Sequence, residues 1–319
     1  MIGIPVAAPV LPHEQVAGNV ILVRPVGFRY SKETAATNGF QQELSTPDLQ
    51  HKVEQEFEAL VNALTECGIG TTVLDPKDPS APDAVFPNNW FSTHEDGRIV
   101  TYPMATASRR TERDPDLGDA LLRSGFANNG TFDLSDWEDR GLALEGTGSM
   151  VLDRRTHTAY AALSPRTSDQ VLEVWSKEMN YGSITFNATM DGSREGQPIY
   201  HTNVLMSIGD RFAVICMEAL PDLNERHITA ANLANSGREL IQITLAQMHA
   251  FAGNILQLRS AKGTFIFLSE QAHRSFKPDQ VRLLAKHGQL VPVAIPTIET
   301  IGGGSVRCML AENFLPLHA

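Results

Sequence analysis

A cysteine, a histidine and a glutamate in this sequence are of the types that together carry out nucleophilic catalysis. Cys308 follows three glycines in IGGGSVRCMLAE, His201 lies in YHTNV, and Glu145 opens EGTG. A thiolate is a strong nucleophile near neutral pH when a neighbouring base or a lowered pKa supports it. Histidine can protonate a leaving nitrogen and then activate water, while a carboxylate orients the imidazole. These residues predict a cysteine-dependent enzyme whose glycines let a substrate approach the backbone.

Each of these residues also has an ordinary structural explanation. A cysteine on an apolar strand is more often part of the core, which is what we expect of Cys67 and Cys216. The chain has 10 histidines, so a histidine at the start of a strand indicates little by itself. Asn88 and Asn89 could be turn residues. EGTG lacks the Lys and the Ser or Thr of a phosphate-binding loop, and no helical pattern follows GGGS, so nucleotide binding is rejected.

An internal repeat places the candidate residues at equivalent positions. Four segments share a plan in which a polar or small residue opens an apolar strand, a polar or glycine-containing turn follows, and a second strand returns. They are 86–104, 144–164, 200–220 and 252–270. If equivalent strands begin near a common axis, the polar residues at their starts converge there. Those residues are Asn88, Asn89, Glu145, His201, Asn203 and Cys308.

A helical stretch and a further extended run follow the hairpins. Residues 166–180 have apolar residues at helical spacing, and Pro278 is expected to open the main helix of the last unit. The unit is therefore strand, strand, helix, strand, with a period of about 50 to 60 residues. The first unit lacks one strand, which residues 305–310 can supply. That strand would close a ring and remove exposed sheet edges.

The repeat predicts an α/β fold in the form of a five-bladed α/β propeller. No low-complexity linker separates the units, which favours one closed domain over residues 1–319 rather than two domains. An open α/β sheet is the alternative that the pattern leaves.

Composition and charge narrow the class of protein. The chain has 319 residues, is 42% hydrophobic and carries a formal charge of −11, with a pI near 5.4. This acidic balance argues against nucleic acid as a partner. No apolar run approaches the roughly 20 residues needed to span a bilayer, and the N-terminal residues do not form a secretion signal. The 3 cysteines fit neither a disulfide framework nor a zinc site, so we expect a cytoplasmic, reduced protein without a metal.

Five motifs follow one another along the chain. They are VFPNNW (85–90), YPM with SRRTER (102–113), LEGTGSMVLD (144–153), YHTNV (200–204) and GGGSVRCM (302–309). In their order and spacing they resemble the pentein superfamily of guanidine-modifying enzymes, which includes arginine deiminases, dimethylarginine hydrolases and amidinotransferases. The resemblance covers nearly the whole chain and is closest to the amidinotransferase-like branch of citrulline-utilisation hydrolases.

The resemblance implies a role for each member of the trio. Cys308 would attack the central carbon of a guanidinium or ureido group and form a covalent adduct. His201 would protonate the departing nitrogen and later activate water, and Glu145 would hold His201. No metal and no organic cofactor are implied.

Two asparagines depart from the pattern of the arginine-acting relatives. Asn89 and Asn203 stand where those enzymes carry aspartates that clamp a guanidinium. An amide loses the charge attraction, but it can donate to a carbonyl oxygen and accept from an NH2 group. A neutral ureido group offers both features. We therefore hypothesise that citrulline is favoured over arginine.

The remaining substrate contacts are predicted from the loop after the second hairpin and from the segment before it. An amino-acid carboxylate needs a cation, and Arg110 is our first choice among the arginines of SRRTER, although a solvated basic loop is the alternative. Asp83 is assigned to the substrate's α-amino group, and Asn88 is expected beside Asn89.

The favoured activity is therefore hydrolysis of the C–N bond of a small amino-acid substrate, citrulline to ornithine, ammonia and carbon dioxide. Arginine deiminase or dimethylarginine hydrolase activity is the alternative. An amidinotransferase and a non-catalytic binding protein of the same superfamily are further alternatives. The sequence does not determine the oligomeric state and allows a homodimer.

Overall fold

The computed structural model describes residues 14–318. The predicted domain limits at residues 1 and 319, and most of the segment tested for a secretion signal, lie outside this range. The strands are β1 (Asn19–Val23), β2 (Gly70–Leu74), β3 (Phe91–Thr93), β4 (Ile99–Thr101), β5 (Thr131–Asp133), β6 (Val151–Asp153), β7 (Thr158–Ala162), β8 (Gly182–Phe186), β9 (Met206–Ile208), β10 (Phe212–Ile215), β11 (Glu239–Gln242), β12 (Leu256–Ser260), β13 (Gly263–Ser269), β14 (Gln289–Val293) and β15 (Ala311–Asn313).

Helices connect and cover these strands. They are α1 (Lys32–Ala35), α2 (Leu49–Glu66), α3 (Ala107–Arg110), α4 (Leu117–Arg123), α5 (Gly146–Ser149), α6 (Asp169–Met179), α7 (Thr202–Leu205), α8 (Leu223–Asn235), α9 (Leu245–His249), α10 (Glu270–Ser275) and α11 (Pro278–Ala285). The last helix begins at Pro278, as predicted. Over the residues described, no helix combines the length and the apolar character needed to cross a membrane.

The strands form five sheets of three strands each, and all five have the same pattern. Their strand orders are β15-β1-β2, β3-β4-β5, β6-β7-β8, β9-β10-β11 and β12-β13-β14. The middle strand pairs antiparallel with one neighbour and parallel with the other. A parallel pair needs a crossover, and helices such as α2 and α6 supply it. The predicted five-bladed α/β propeller is confirmed.

The two ends of the chain meet in the first blade. Strand β15 pairs antiparallel with β1, with Asn313 opposite Asn19 and Ala311 opposite Ile21. The prediction that residues 305–310 form this strand is wrong, because the strand begins only at Ala311 and Val306–Met309 is a 3-10 turn. The chain before this turn is also not extended, because Ile298–Gly302 forms a π-helical turn that ends at Gly303, whose φ of +65° is left-handed.

Short helical turns, rather than strands, carry the candidate residues of four blades. The turn Pro87–Asn89 precedes β3, α5 precedes β6, α7 precedes β9, and Val306–Met309 precedes β15. The first strands of neighbouring blades contact one another, as β15 does β3, β6 does β9 and β9 does β12. The turns that enter these strands are therefore brought together, as the repeat predicted.

Amphipathic helices and a buried ion pair hold the blades together. Helix α2 buries Val53, Phe57, Leu60 and Leu64, which share one helical face. Away from the helices, the guanidinium of Arg238 makes a bidentate contact with the carboxylate of Asp153, in which Nη2 lies 3.0 Å from Oδ1. Both side chains are at most 1% exposed. This pair links β6 to the start of β11, and thus two blades.

Candidate active site

A buried carboxylate and imidazole pair lies where the third and fourth blades begin. Nε2 of His201 is 2.7 Å from Oε2 of Glu145, and the side chains are 2% and 0% exposed. The other carboxylate oxygen accepts the backbone N–H of Ala105 at 3.0 Å. The backbone N–H of Glu145 donates to the hydroxyl of Ser149 at 2.9 Å. These contacts hold the carboxylate, and through it the imidazole, in one orientation.

Charge around this pair sets the protonation of both groups. Burial alone would raise the pKa of Glu145, but Arg166, His201 and Arg109 together hold it well below its usual value. Nη1 of Arg166 and Nη1 of Arg109 lie 3.5 Å and 3.7 Å from the carboxylate oxygen. Burial lowers the pKa of His201 to about 4, although Glu145 opposes the change. At neutral pH the glutamate is therefore ionised and the histidine is neutral.

The ionised carboxylate decides which imidazole nitrogen carries the proton. A carboxylate can only accept, so Nε2 of His201 donates to Glu145 and Nδ1 is left with a free lone pair. Gly148 lies against this nitrogen. A Cβ at position 148 would be 2.8 Å from Nδ1 and 2.3 Å from Nδ2 of Asn89. Because position 148, the second glycine of EGTG, has no side chain, Nδ1 of His201 and Nδ2 of Asn89 can both lie against it.

Cys308 lies in the 3-10 turn before β15 and is 3% exposed. Its backbone N–H donates to the carbonyl of Ser305 at 2.9 Å. The Sγ atom is 3.2 Å from Nδ2 of Asn254 and 3.6 Å from Nδ2 of Asn203. Burial raises the pKa of the thiol, although a backbone hydrogen bond from Ser305 to the sulfur and these amides oppose it. The resting form is therefore the thiol, and catalysis needs a base that takes its proton.

The two asparagines of FPNN contribute one free donor and one free acceptor. Oδ1 of Asn89 accepts from Nη1 of Arg109 at 2.7 Å, while its Nδ2 has no partner among the residues described. Nδ2 of Asn88 donates to the hydroxyl of Thr147 at 3.3 Å, while its Oδ1 has none. A buried polar atom without a partner is costly. These two atoms are therefore suited to bind a polar ligand.

Asp83 and Arg109 extend the charged cluster. Asp83 is 2% exposed, and burial raises its pKa, although Arg109 opposes the change. Nε2 of Gln41 lies 3.5 Å from its Oδ1. The guanidinium of Arg109 makes two contacts of 2.9 Å with Glu112, from Nε and from Nη2. Arg109 is thus already neutralised by a partner of its own.

Arg110, predicted to bind the substrate carboxylate, does not join this cluster. Its side chain is 36% exposed. Nε donates to the carbonyl of Met104 at 3.1 Å and lies 3.3 Å from Glu138. Consecutive residues on a helix point in directions about 100° apart, so Arg109 and Arg110 of α3 cannot face the same way. The structure places Arg109 in the site instead.

Three residues that the sequence did not single out also belong to the site. Asn254, Arg166 and Tyr200 are 0%, 2% and 3% exposed. Asn254 comes just before β12, at the repeat position held by the candidate residues of the other blades, so the repeat could have identified it. Arg166 lies in a stretch predicted to begin a helix, and no sequence signal marks it.

The segment 31–42 is hydrogen-bonded to several parts of the site. Nη2 of Arg166 donates to the carbonyl of Thr34 at 2.7 Å. Nε2 of Gln41 donates to the carbonyl of Gly302 at 2.9 Å, and Nδ2 of Asn38 donates to that of Gly303 at 3.2 Å. The segment therefore packs directly against the glycines that precede the cysteine.

A thiol, a neutral imidazole held by a carboxylate, and unpaired amide groups are thus assembled from different blades. This combination is suited to covalent attack on an electrophilic carbon followed by proton transfer to a leaving nitrogen. Across the part of the chain described, no group of three or more His, Cys, Asp or Glu side chains is arranged to hold a metal ion.

Comparison with known proteins gives one family and a set of structural relatives. The family model for N,N dimethylarginine dimethylhydrolase, eukaryotic, matches residues 24–315. No curated protein matches the sequence significantly.

The structural relatives share the fold at low sequence identity. ArgZ, an arginine dihydrolase of the ornithine-ammonia cycle in cyanobacteria, superposes with a TM-score of 0.72 at 15% identity, over 94% of this chain and 41% of ArgZ. The chain thus spans about two fifths of the length of ArgZ. The substrate-bound N-terminal domain of ArgZ gives a TM-score of 0.71 at 15% identity, over 93% of this chain and 99% of that domain.

A dimethylarginine dimethylaminohydrolase variant is also similar. It was solved as an adduct with S-methyl-L-thiocitrulline. It gives a TM-score of 0.65 at 14% identity, over 92% of this chain and 99% of its own. At these identities the likeness establishes the fold.

Proposed function

The chain belongs to the eukaryotic N,N dimethylarginine dimethylhydrolase family, whose members hydrolyse guanidino C–N bonds, and on that premise we propose that it hydrolyses the guanidino group of arginine or a methylated arginine through a covalent adduct on Cys308. The product would be citrulline, released with ammonia or with the methylated amine. This choice differs from the citrulline substrate favoured by the two asparagines, and it corresponds to the alternative that the sequence left open.

The balance of buried charge around the thiol carries this proposal. Three carboxylates, Asp83, Glu112 and Glu145, interact with two buried arginines, Arg109 and Arg166. Burial raises the pKa of Asp83 and raises that of Glu112 to about 7, although Arg109 opposes both changes. Arg109 is paired with Glu112 and Arg166 with Glu145, whereas Oδ2 of Asp83 is buried and has no hydrogen-bond partner among the residues described. A guanidinium would supply the missing positive charge, whereas a neutral ureido group would not.

The proposed chemistry uses the trio in two half-reactions. Neutral His201 takes the proton of the Cys308 thiol, and Sγ attacks the guanidino carbon to form a C–S bond. The bond from this carbon to the departing nitrogen then breaks as His201 returns the proton to that nitrogen. Glu145 stabilises the imidazolium during the transfer. A water deprotonated by His201 next attacks the adduct carbon, and the C–S bond breaks with its electron pair returning to Sγ. The new hydroxyl loses its proton to solvent as the carbonyl forms, and His201 returns its proton to Sγ.

Citrulline hydrolysis remains the second candidate because of one atom. Nδ2 of Asn89 is a buried donor without a hydrogen-bond partner in residues 14–318. A ureido oxygen could accept from it, which a guanidinium nitrogen cannot do. Citrulline formed in the site could therefore be held for a further hydrolysis to ornithine, carbon dioxide and ammonia.

The test offers arginine, N,N-dimethylarginine and citrulline separately to the purified protein and measures citrulline, ornithine, ammonia and dimethylamine by mass spectrometry. Citrulline from either guanidino substrate supports the first candidate, and ornithine from citrulline supports the second. The Cys308→Ser variant should abolish turnover and the acid-trapped adduct. The Cys216→Ser variant is the matched control, because Cys216 is a buried thiol in the core of the fourth blade. Absence of both turnover and adduct with all three compounds would refute the proposal.

A further inference from the structure

Asn254 is fixed by backbone contacts so that one of its N–H groups points at the cysteine sulfur. Its Oδ1 atom accepts the backbone N–H of Arg307 at 3.0 Å, and its Nδ2 atom donates to the backbone carbonyl of Asn203 at 2.9 Å. A backbone N–H can only donate and a backbone carbonyl can only accept, so the amide cannot be flipped. The second hydrogen of Nδ2 is then left for Sγ of Cys308, at 3.2 Å.

The other amide near the sulfur is not constrained in this way. Asn203 has Nδ2 at 3.6 Å and Oδ1 at 3.9 Å from Sγ, so its donor contact is longer. Asn254 stands at the entry to β12, and its side chain is hydrogen-bonded to the turn of Cys308 and the turn of Asn203, which belong to two other blades. Because it is fully buried, water does not compete for its hydrogen bonds.

We propose that Asn254 is a catalytic residue that stabilises the thiolate of Cys308 through a preset N–H donor. This inference rests on the proposed nucleophilic role of Cys308. An N–H donor binds a thiolate more strongly than a thiol, because hydrogen bonds to an ionised acceptor are the stronger ones. The donor is in place before the reaction begins, so no reorganisation is needed when the charge develops.

The same donor acts in both half-reactions. In the first it favours loss of the thiol proton to His201, so that more of the nucleophilic form is present. In the second the C–S bond breaks and the electron pair returns to Sγ, where the N–H of Asn254 again stabilises the negative charge. Asn254 therefore assists both formation and breakdown of the adduct without exchanging a proton itself.

Alkylation of the cysteine tests this role without any substrate. Iodoacetamide is reacted with the whole protein over a range of pH, and modification of Cys308 is followed by peptide mass spectrometry. At neutral pH, Asn254→Ala should reduce the rate about tenfold to a hundredfold, because a hydrogen bond to a charged group is lost. At high pH, where the thiol is ionised in every variant, the rates should converge. A purely structural role would lower the rate at all pH values.

A second variant separates the N–H that Asn254 donates to the sulfur from the oxygen that accepts the backbone N–H of Arg307. Asn254→Asp keeps an oxygen that accepts the N–H of Arg307 but removes the donor and adds a negative charge, so it should slow alkylation at least as much as Asn254→Ala. Asn313→Asp is the matched control, because Asn313 is also a buried asparagine, 4% exposed, and lies in strand β15, which follows the turn of Cys308. The alkylation rate of Asn313→Asp should equal that of the original protein. Thermal unfolding curves show which variants are folded.

Each outcome bears on a different conclusion. Folded Asn254 variants that are alkylated at the original rate at neutral pH would overturn the inference and leave the proposed function standing. If the alkylation rates of the Asn254 variants stay low at high pH, the role of Asn254 is structural and the donor role is refuted. An original protein whose Cys308 resists alkylation at every pH would overturn the nucleophilic role and the inference together.

Discussion

Adding one methyl group at Gly148 should misplace two functional groups at once. In the present structure a Cβ at this position would be 2.3 Å from Nδ2 of Asn89 and 2.8 Å from Nδ1 of His201. Non-bonded heavy atoms settle about 3.5 to 4.0 Å apart, so the amide must move by more than about 1 Å and the imidazole by roughly half that or more. Gly148→Ala therefore probes the place where the imidazole lone pair and the free amide donor meet.

The surroundings leave neither group an easy way to move. His201 is held by the 2.7 Å contact with Glu145, and Asn89 by the 2.7 Å contact with Arg109. Overpacking of this kind costs about 1 to 3 kcal/mol of stability. A misplacement near 1 Å in a catalytic site costs on the order of 100-fold in rate. We therefore expect a folded protein whose kcat/KM is reduced about 100-fold.

The assay compares kcat/KM for the guanidino substrate that the protein turns over, together with the urea midpoint of unfolding. Gly182→Ala is the matched control, because a Cβ there would find its nearest neighbour, the carbonyl oxygen of His157, at 3.8 Å. This variant should keep both values. If Gly148→Ala retains kcat/KM within about threefold of the original protein, the reasoning that the imidazole and the amide work at this contact is refuted.

Three further predictions concern pH and buried charge. Burial raises the pKa of Glu299 to about 7, although the Ser305 hydroxyl donates to it at 2.6 Å. Below its unfolded pKa of 4.5 the protonated group stabilises the fold, and this stabilisation, about 3 kcal/mol at most, is lost as pH rises through 7. Glu299→Gln should therefore reduce the pH dependence of the free energy of unfolding in urea between pH 4.5 and 7. An unchanged pH dependence would contradict this. Because the pKa of His201 is lowered to about 4, the acid limb of kcat/KM should lie near pH 4, and a limb at 6.5 would show that the imidazole is not shielded. Arg238→Met leaves the buried carboxylate of Asp153 unpaired and should cost about 3 to 5 kcal/mol in urea denaturation; a loss below about 1 kcal/mol would mean that the pair does not hold the blades together.

The repeat in the sequence was sufficient to predict the blades. Alternating apolar strands and the amphipathic pattern of residues 166–180 depend only on neighbours along the chain, which is why the five units and the helix that starts at Pro278 were predicted. The repeat also placed Glu145 and His201 at equivalent entries. The same reasoning could have included Asn254, which occupies that position in the fifth blade.

Details that depend on contacts between blades were not predicted. Cys308 lies in a 3-10 turn rather than a strand, and the residues before it form a π-helical turn that ends at Gly303. Arg109, and not Arg110, enters the charged cluster, which depends on how α3 is rotated against the sheet. A sequence does not show which of two adjacent arginines faces a carboxylate from another blade.

The substrate hypothesis also depended on contacts that the sequence does not show. From the sequence, asparagine in place of aspartate at positions 89 and 203 favoured a neutral ureido group. In the structure the oxygen of Asn89 accepts from Arg109, and Asp83 supplies a buried carboxylate whose Oδ2 has no hydrogen-bond partner among the residues described.

The sequence by itself determined the repeated unit, the residue types available for catalysis and their common position at the blade entries. The tertiary structure alone decided which charges are buried together, which imidazole nitrogen is free and which amide points at the sulfur. The physical reason is range: periodicity and turns depend on residues a few positions apart, whereas burial, pKa and hydrogen-bond orientation depend on groups that only folding brings together.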